Sequence, residues 1–134
     1  MNENITNKIK GLCLPFAELL GITLEILDAD RIVAKMLVRD DLCTLGRTLH
    51  GGAAMALADT AGAVATFVNL PKGAKGTTTL ESKTNFVGPA PVGVVVTATA
   101  TPVHRGRRTQ VWQTRVETQD GKLVALVTQT QMVL

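Results

Sequence analysis

Apolar residues recur along this chain with two different spacings. Over residues 5–20, Ile9, Leu12, Phe16, Leu19 and Leu20 return every three or four positions. That spacing predicts a helix, interrupted near Pro15 and ended by Gly21. Beyond Gly21 the period falls to two. Ile22, Leu24 and Ile26 alternate with Thr23 and Glu25, and Ile32, Ala34, Met36 and Val38 share one face of the next run. Residues 22–27 and 31–38 are therefore expected to form a hairpin turned by Asp28-Ala29-Asp30. A polar loop, 39–48, leads to a second helix over 50–69, ended by Pro71-Lys72-Gly73.

Four more strands are expected, over 77–87, 93–104, 109–118 and 123–133. In the first, strict alternation puts Thr78, Leu80, Ser82, Thr84 and Phe86 opposite Thr79, Glu81, Lys83 and Asn85. Gly88-Pro89-Ala90-Pro91, Arg105-Gly106-Arg107-Arg108 and Gln119-Asp120-Gly121-Lys122 supply the turns, the last with the Asp-Gly hairpin signal. No repeat or linker divides the 134 residues, so 1–134 reads as one domain. The architecture expected is α+β: a long, mostly antiparallel sheet curved around one central helix.

Composition narrows the picture. Hydrophobic residues make up 46% of the chain but aromatic residues only 3%. The core must be aliphatic, with close backbone packing in place of aromatic bulk. A net charge of +3 is too small to argue for nucleic acid as a partner. No uninterrupted apolar run approaches about 18 residues, so no membrane span is expected. The N-terminal residues lack the basic and apolar pattern of a signal peptide. Cys13 and Cys43 make neither a metal cluster nor a disulfide framework, and read as free thiols in a reducing cytoplasm.

The candidate chemistry sits in His50-Gly51-Gly52-Ala53-Ala54-Met55-Ala56-Leu57-Ala58-Asp59-Thr60. Gly51 and Gly52 let the backbone turn into a helix that is apolar on nearly every face to Val68, which predicts burial. The unpaired N–H groups at its start can hold a developing oxyanion. Asp59 is an acid in an apolar setting, so it is paired, solvated in a cleft, or functional. Gly51 and Asp59 lie about 12 Å apart along one helix, at a rise of about 1.5 Å per residue. A nucleophile and an oxyanion donor must each come within about 3 Å of one reacting group. If both act in one reaction, they come from two copies of the chain, across a homodimer interface.

These motifs resemble the hotdog-fold acyl-CoA thioesterases, most closely the phenylacetate-degradation and 4-hydroxybenzoyl-CoA branch. The resemblance rests on Leu49-His50-Gly51-Gly52, Leu57-Ala58-Asp59-Thr60, Asn85-Phe86-Val87-Gly88-Pro89-Ala90 and Val103-His104-Arg105-Gly106-Arg107-Arg108-Thr109-Gln110-Val111-Trp112. It implies hydrolysis of an aryl- or medium-chain acyl-CoA, without metal or other cofactor, by a dimer or dimer of dimers. The Gly51 N–H of one subunit would polarise the thioester carbonyl. Asp59 of the facing subunit would attack it or activate water, and His50 would shape the loop. Gly52, Thr60, Phe86, Val87 and Gly88 would surround the substrate. The family often has Asn or Gln six positions before the histidine, where this chain has Thr44. It often has Ser or Thr four positions after the acid, where this chain has Ala63. Thr77, Thr78 and Thr79 could line an acyl or pantetheine channel.

Arg105, Arg107 and Arg108 flank Gly106, and guanidinium forks fit phosphate oxygens, so this turn is a candidate clamp for the coenzyme A nucleotide. His104 reads as structural, Trp112 as core or interface, and Glu81 as an exposed strand acid. Two other classes share the fold by resemblance. Enoyl-CoA hydratases and dehydratases carry a His followed by a Phe-Pro-Gly type loop, which does not occur here. Non-catalytic acyl-CoA sensors need a DNA-reading module, for which the short N-terminal segment is expected to leave no room.

Overall fold

The computed structural model describes residues 7, 9, 11, 12 and 14–134. The elements are helix α1 (Pro15–Leu20), strands β1 (Thr23–Asp28) and β2 (Arg31–Leu37), a 3-10 turn (Asp40–Leu42), short strands β3 (Cys43–Thr44) and β4 (Thr48–Leu49), helix α2 (Gly51–Val68), and strands β5 (Thr77–Phe86), β6 (Val95–Arg105), β7 (Thr109–Thr118) and β8 (Leu123–Val133). Of the helix expected over 5–20, Asn7 and Ile9 are helical and α1 begins at Pro15, while positions 5, 6, 8, 10 and 13 lie outside the described residues. Pro15 starts α1 because its fixed φ suits a first helical position and its missing N–H costs nothing there. Gly21 ends it at φ 72°, a left-handed value that favours glycine.

The long strands form one antiparallel sheet in the order β1-β2-β6-β7-β8-β5, with α2 packed on its inner face. This is the hotdog arrangement. Small side chains on both surfaces bring helix and sheet together. Ala58, Ala61 and Ala65 of the helix are fully buried, as are Ala34, Ala98, Ala100 and Ala125 of the sheet. Leu57, Val64 and Val68 fill the remaining space. Burying each such side chain stabilises the fold by about 1.5–3 kcal/mol.

Two polar links fix the far end of the helix. The Asn69 amide donates to Ala65 O (2.8 Å) and to Ala29 O in the β1–β2 turn (2.9 Å). The buried Gln110 amide donates to Asn69 O (3.0 Å), and its carbonyl accepts the indole N–H of the fully buried Trp112 (3.1 Å).

Helix α2 is not buried all round. Gly52, Met55, Ala56, Asp59, Thr60, Ala63 and Phe67 form a stripe that stays exposed or half-buried. The helix is long and apolar enough to cross a membrane, but half of it is buried as the core of this fold. β5 is an outer strand of the sheet and carries exposed Leu80 and Phe86.

Candidate functional site

The start of α2 is built by His50. Its backbone is extended, and its Nδ1 accepts the Gly52 N–H at 2.8 Å, which caps the helix. An accepting ring nitrogen carries no proton, so Nε2 holds the hydrogen of the neutral ring. The Ala53 and Ala54 N–H groups donate to His50 O. The Gly51 N–H is left, and no acceptor among the described residues takes it. A side chain on Gly51 would put its Cβ 2.9 Å from the Phe86 ring. Glycine here thus lets the aromatic ring from the end of β5 lie against the first turn.

Two turns further along the helix, Asp59 sits on the open stripe. Its Oδ1 accepts the Thr79 hydroxyl at 2.6 Å and the Gln129 amide at 3.3 Å. Thr79 Oγ1 in turn accepts the Gln131 amide at 2.7 Å, and the Thr77 hydroxyl has two acceptors in reach, Met132 O at 2.9 Å and Gln131 Oε1 at 3.0 Å. Both glutamines are fully buried on β8. A β-bulge between Thr79 and Glu81 makes this possible. It places Thr77 and Thr79 on the same inward side as Ser82 and Thr84, against the strict alternation expected of the strand. An inserted residue shifts the pleat by one position.

Gly62 makes room for the second bond to Asp59. A Cβ there would fall 2.4 Å from Gln129 Cδ and 2.5 Å from its Nε2. The Gln129 amide therefore lies directly across the helix backbone at Gly62. Its Oε1 is buried and meets no partner among the described residues. Oδ2 of Asp59 has no hydrogen-bond partner among the described residues.

Asp59 borders a cleft of about 510 Å³ between the N-terminal segment and the open stripe of α2. Leu12, Leu14 and Phe16 line one side, and Ala63, Val64 and Phe67 the other. Thr60 and Thr77 also reach this cleft. The Thr60 hydroxyl donates back to Ala56 O at 2.8 Å. A carboxylate beside an apolar cleft can attack an electrophilic carbonyl or take a proton from water while the apolar walls hold the rest of a substrate.

The remaining expected residues fall into four places. Gly51, Gly52, His50 and Phe86 meet at the helix start. The N–H groups of Val87 and Gly88 both donate to Val124 O, and a Cβ on Gly88 would press on Leu123 O at 2.9 Å. Gly88 thus serves the close approach of two backbones. Thr44 is exposed in the β3–β4 hairpin, with no contact to Asp59 among the described residues. The arginine cluster is divided. Arg105 donates to Asp30 Oδ1 (2.7 Å) and to Ala29 O (3.0 Å), which engages it with the β1–β2 turn rather than leaving it free for a phosphate. Arg107 and Arg108 are exposed. Gly106 suits a close backbone approach, because a Cβ would press on Thr109 O at 2.9 Å as well as on the exposed His104 ring. The residues missed from sequence are Gln129 and Gln131, and Thr79 as the partner of Asp59.

Comparison with known proteins agrees with this fold. Residues 46–125 match the family model of the thioesterase superfamily. A Haemophilus influenzae protein named as a candidate esterase is 38% identical over 104 residues, 78% of this chain and 74% of its own length. Among solved structures, a thioesterase from Haemophilus influenzae is similar with a TM-score of 0.86 and 31% identity, covering 100% of this chain and 91% of its own. The E. coli PaaI protein of the phenylacetic acid degradation operon is also similar, with a TM-score of 0.86, 26% identity and coverage of 98% and 91%.

Proposed function

The chain belongs to the thioesterase superfamily, and from that premise we propose that it hydrolyses an acyl-CoA thioester to a free acid and coenzyme A. The observation that carries this reading is Asp59, anchored through one oxygen and set beside an apolar cleft. A thioester carbonyl is electrophilic, so the reaction needs an oxyanion donor, a carboxylate and a dry pocket. The Gly51 N–H, which no acceptor among the described residues takes, supplies the donor. Asp59 either attacks the carbonyl carbon or takes a proton from the water that does. In both routes the C–S bond breaks, the thiolate leaves as coenzyme A and takes up a proton, and water supplies the oxygen of the acid.

The separation of about 12 Å between Gly51 and Asp59 along one helix is too long for both to meet one carbonyl within a subunit, which supports a site shared between subunits. Two α2 helices lying antiparallel across a two-fold axis, open stripe to open stripe, would bring each Gly51 near the other chain's Asp59. The active unit is then a homodimer or a dimer of dimers. The apolar cleft beside Asp59 suits an aryl or medium-chain acyl group. Arg107 and Arg108 make no ion pair among the described residues and suit the coenzyme A phosphates. A thiol-release screen over short, medium, long and aryl acyl-CoAs tests the proposal. Hydrolysis of aryl or medium-chain members that disappears in Asp59→Asn is the expected result. No thiol release from any acyl-CoA by folded protein refutes it.

A further inference from the structure

The polar chain behind Asp59 has a direction. The Gln131 amide nitrogen donates to Thr79 Oγ1, because the one hydrogen of that hydroxyl is taken by the acceptor on its other side. A hydroxyl that accepts there has its own hydrogen free for the other neighbour. That neighbour is Asp59 Oδ1, a carboxylate oxygen that can only accept when ionised, at 2.6 Å. Gln131 is fully buried and lies on a strand face that otherwise carries core residues such as Ala125 and Val127. Burying an amide there is costly unless its hydrogen bonds are made. Among the described residues the Asp59 carboxylate is thus held by donors on Oδ1 alone, from Thr79 and Gln129.

We propose that Gln131 is a positioning residue of the reaction, directing the Thr79 hydroxyl onto Oδ1 of Asp59 so that Oδ2 is the oxygen that meets the substrate or its water. This rests on the assignment of Asp59 to the chemistry. Gln131 itself touches no reacting atom. Its effect passes through Thr79, and the Gln129 amide, seated over Gly62, donates to the same oxygen. The two glutamines divide the carboxylate into an anchoring oxygen and a reacting one.

The test uses four variants of the full chain: Thr79→Ser, Thr79→Val, Gln131→Glu, and Gln131→Glu combined with Thr79→Val. Gln131→Glu keeps the shape but replaces the donor with an acceptor, so the hydroxyl is drawn away from Asp59. Its kcat should fall by about 10-fold to 100-fold, the scale of a misplaced reacting group. Its KM should stay within about twofold, since substrate contacts are untouched. Thr79→Ser keeps the hydroxyl and should keep kcat, whereas Thr79→Val should lose it. The double variant should be no slower than Thr79→Val alone, because Gln131 acts only through that hydroxyl. A merely structural glutamine would give losses that multiply.

Crystal structures supply a readout that does not need activity. The contact between Thr79 Oγ1 and Asp59 Oδ1 should open in Gln131→Glu and persist in Thr79→Ser. Multiplicative losses, or an unchanged contact in Gln131→Glu, overturn the proposal. Full activity of Asp59→Asn would instead refute the role of the carboxylate, while the crystallographic contact would still report on the relay.

Discussion

Replacing Gly62 by alanine sets two opposing effects against each other. Alanine in place of glycine within a helix gains about 1 kcal/mol from propensity alone. Against this, the new methyl would fall 2.4–2.6 Å from all three heavy atoms of the Gln129 amide group. That amide ends a flexible side chain, but Gln129 is fully buried and cannot swing into solvent. Overpacking costs about 1–3 kcal/mol. Pulling the amide off Asp59 leaves a buried donor unmade, at about 1–3 kcal/mol. The clash and the lost bond outweigh propensity, for a net destabilisation of about 2 kcal/mol. In a chain of this size that lowers Tm by about 5–10 °C. Thermal unfolding at one fixed protein concentration reads it, since assembly makes Tm concentration-dependent. Gln129→Ala removes the obstacle, so the two substitutions together should cost less than their sum. A Gly62→Ala protein as stable as the parent, or more so, would refute the reasoning and show that Gln129 relocates freely.

Other predictions follow from the same geometry. Asp59→Asn keeps the side-chain volume but removes the charge, and should lower kcat by about 100-fold or more with the fold intact by circular dichroism. Replacing Arg107 and Arg108 together by alanine should raise KM for acyl-CoA far more than it lowers kcat, and spare a short thioester lacking the nucleotide. Arg105→Ala should leave both constants near the parent values, because that side chain serves Asp30 and Ala29. Mixed dimers of Asp59→Asn with Gly51→Pro subunits should regain one working site although each parent is inactive, as proline removes the N–H. Folded mixed dimers without activity would contradict a shared site.

Much of the fold was legible because it rests on local periodicity. The alternation of Ile32, Ala34, Met36 and Val38 marks the buried face of β2, and all four are buried. Gly21 and the Asp120-Gly121 pair mark real turns, both glycines having positive φ. The helix that carries Asp59 was legible from its small residues and its glycine start. The surroundings of Asp59 were not. Leu80 is the extra residue of a bulge, so strict alternation assigned Thr79 to the wrong face. Gly62 read as one small residue among many, because the glutamine that needs its space lies on the last strand. A signal was nevertheless present. The inward positions Ala125 and Val127 continue as Gln129 and Gln131, and glutamines at core positions of a strand call for buried partners. The arginine turn shows the opposite limit. Three like charges look equivalent until the fold brings Asp30 beside one of them.

Trp112 is the chain's single tryptophan, and there is no tyrosine. It lies opposite Gln129 in the β7–β8 pairing, with its indole bound to the same Gln110 that grips the end of α2. Near-ultraviolet emission from this protein therefore comes from one chromophore in one place. A shift of that emission to longer wavelength would report water reaching the seam between helix and sheet. The molecule carries its own optical gauge of whether the floor beneath its carboxylate is still closed.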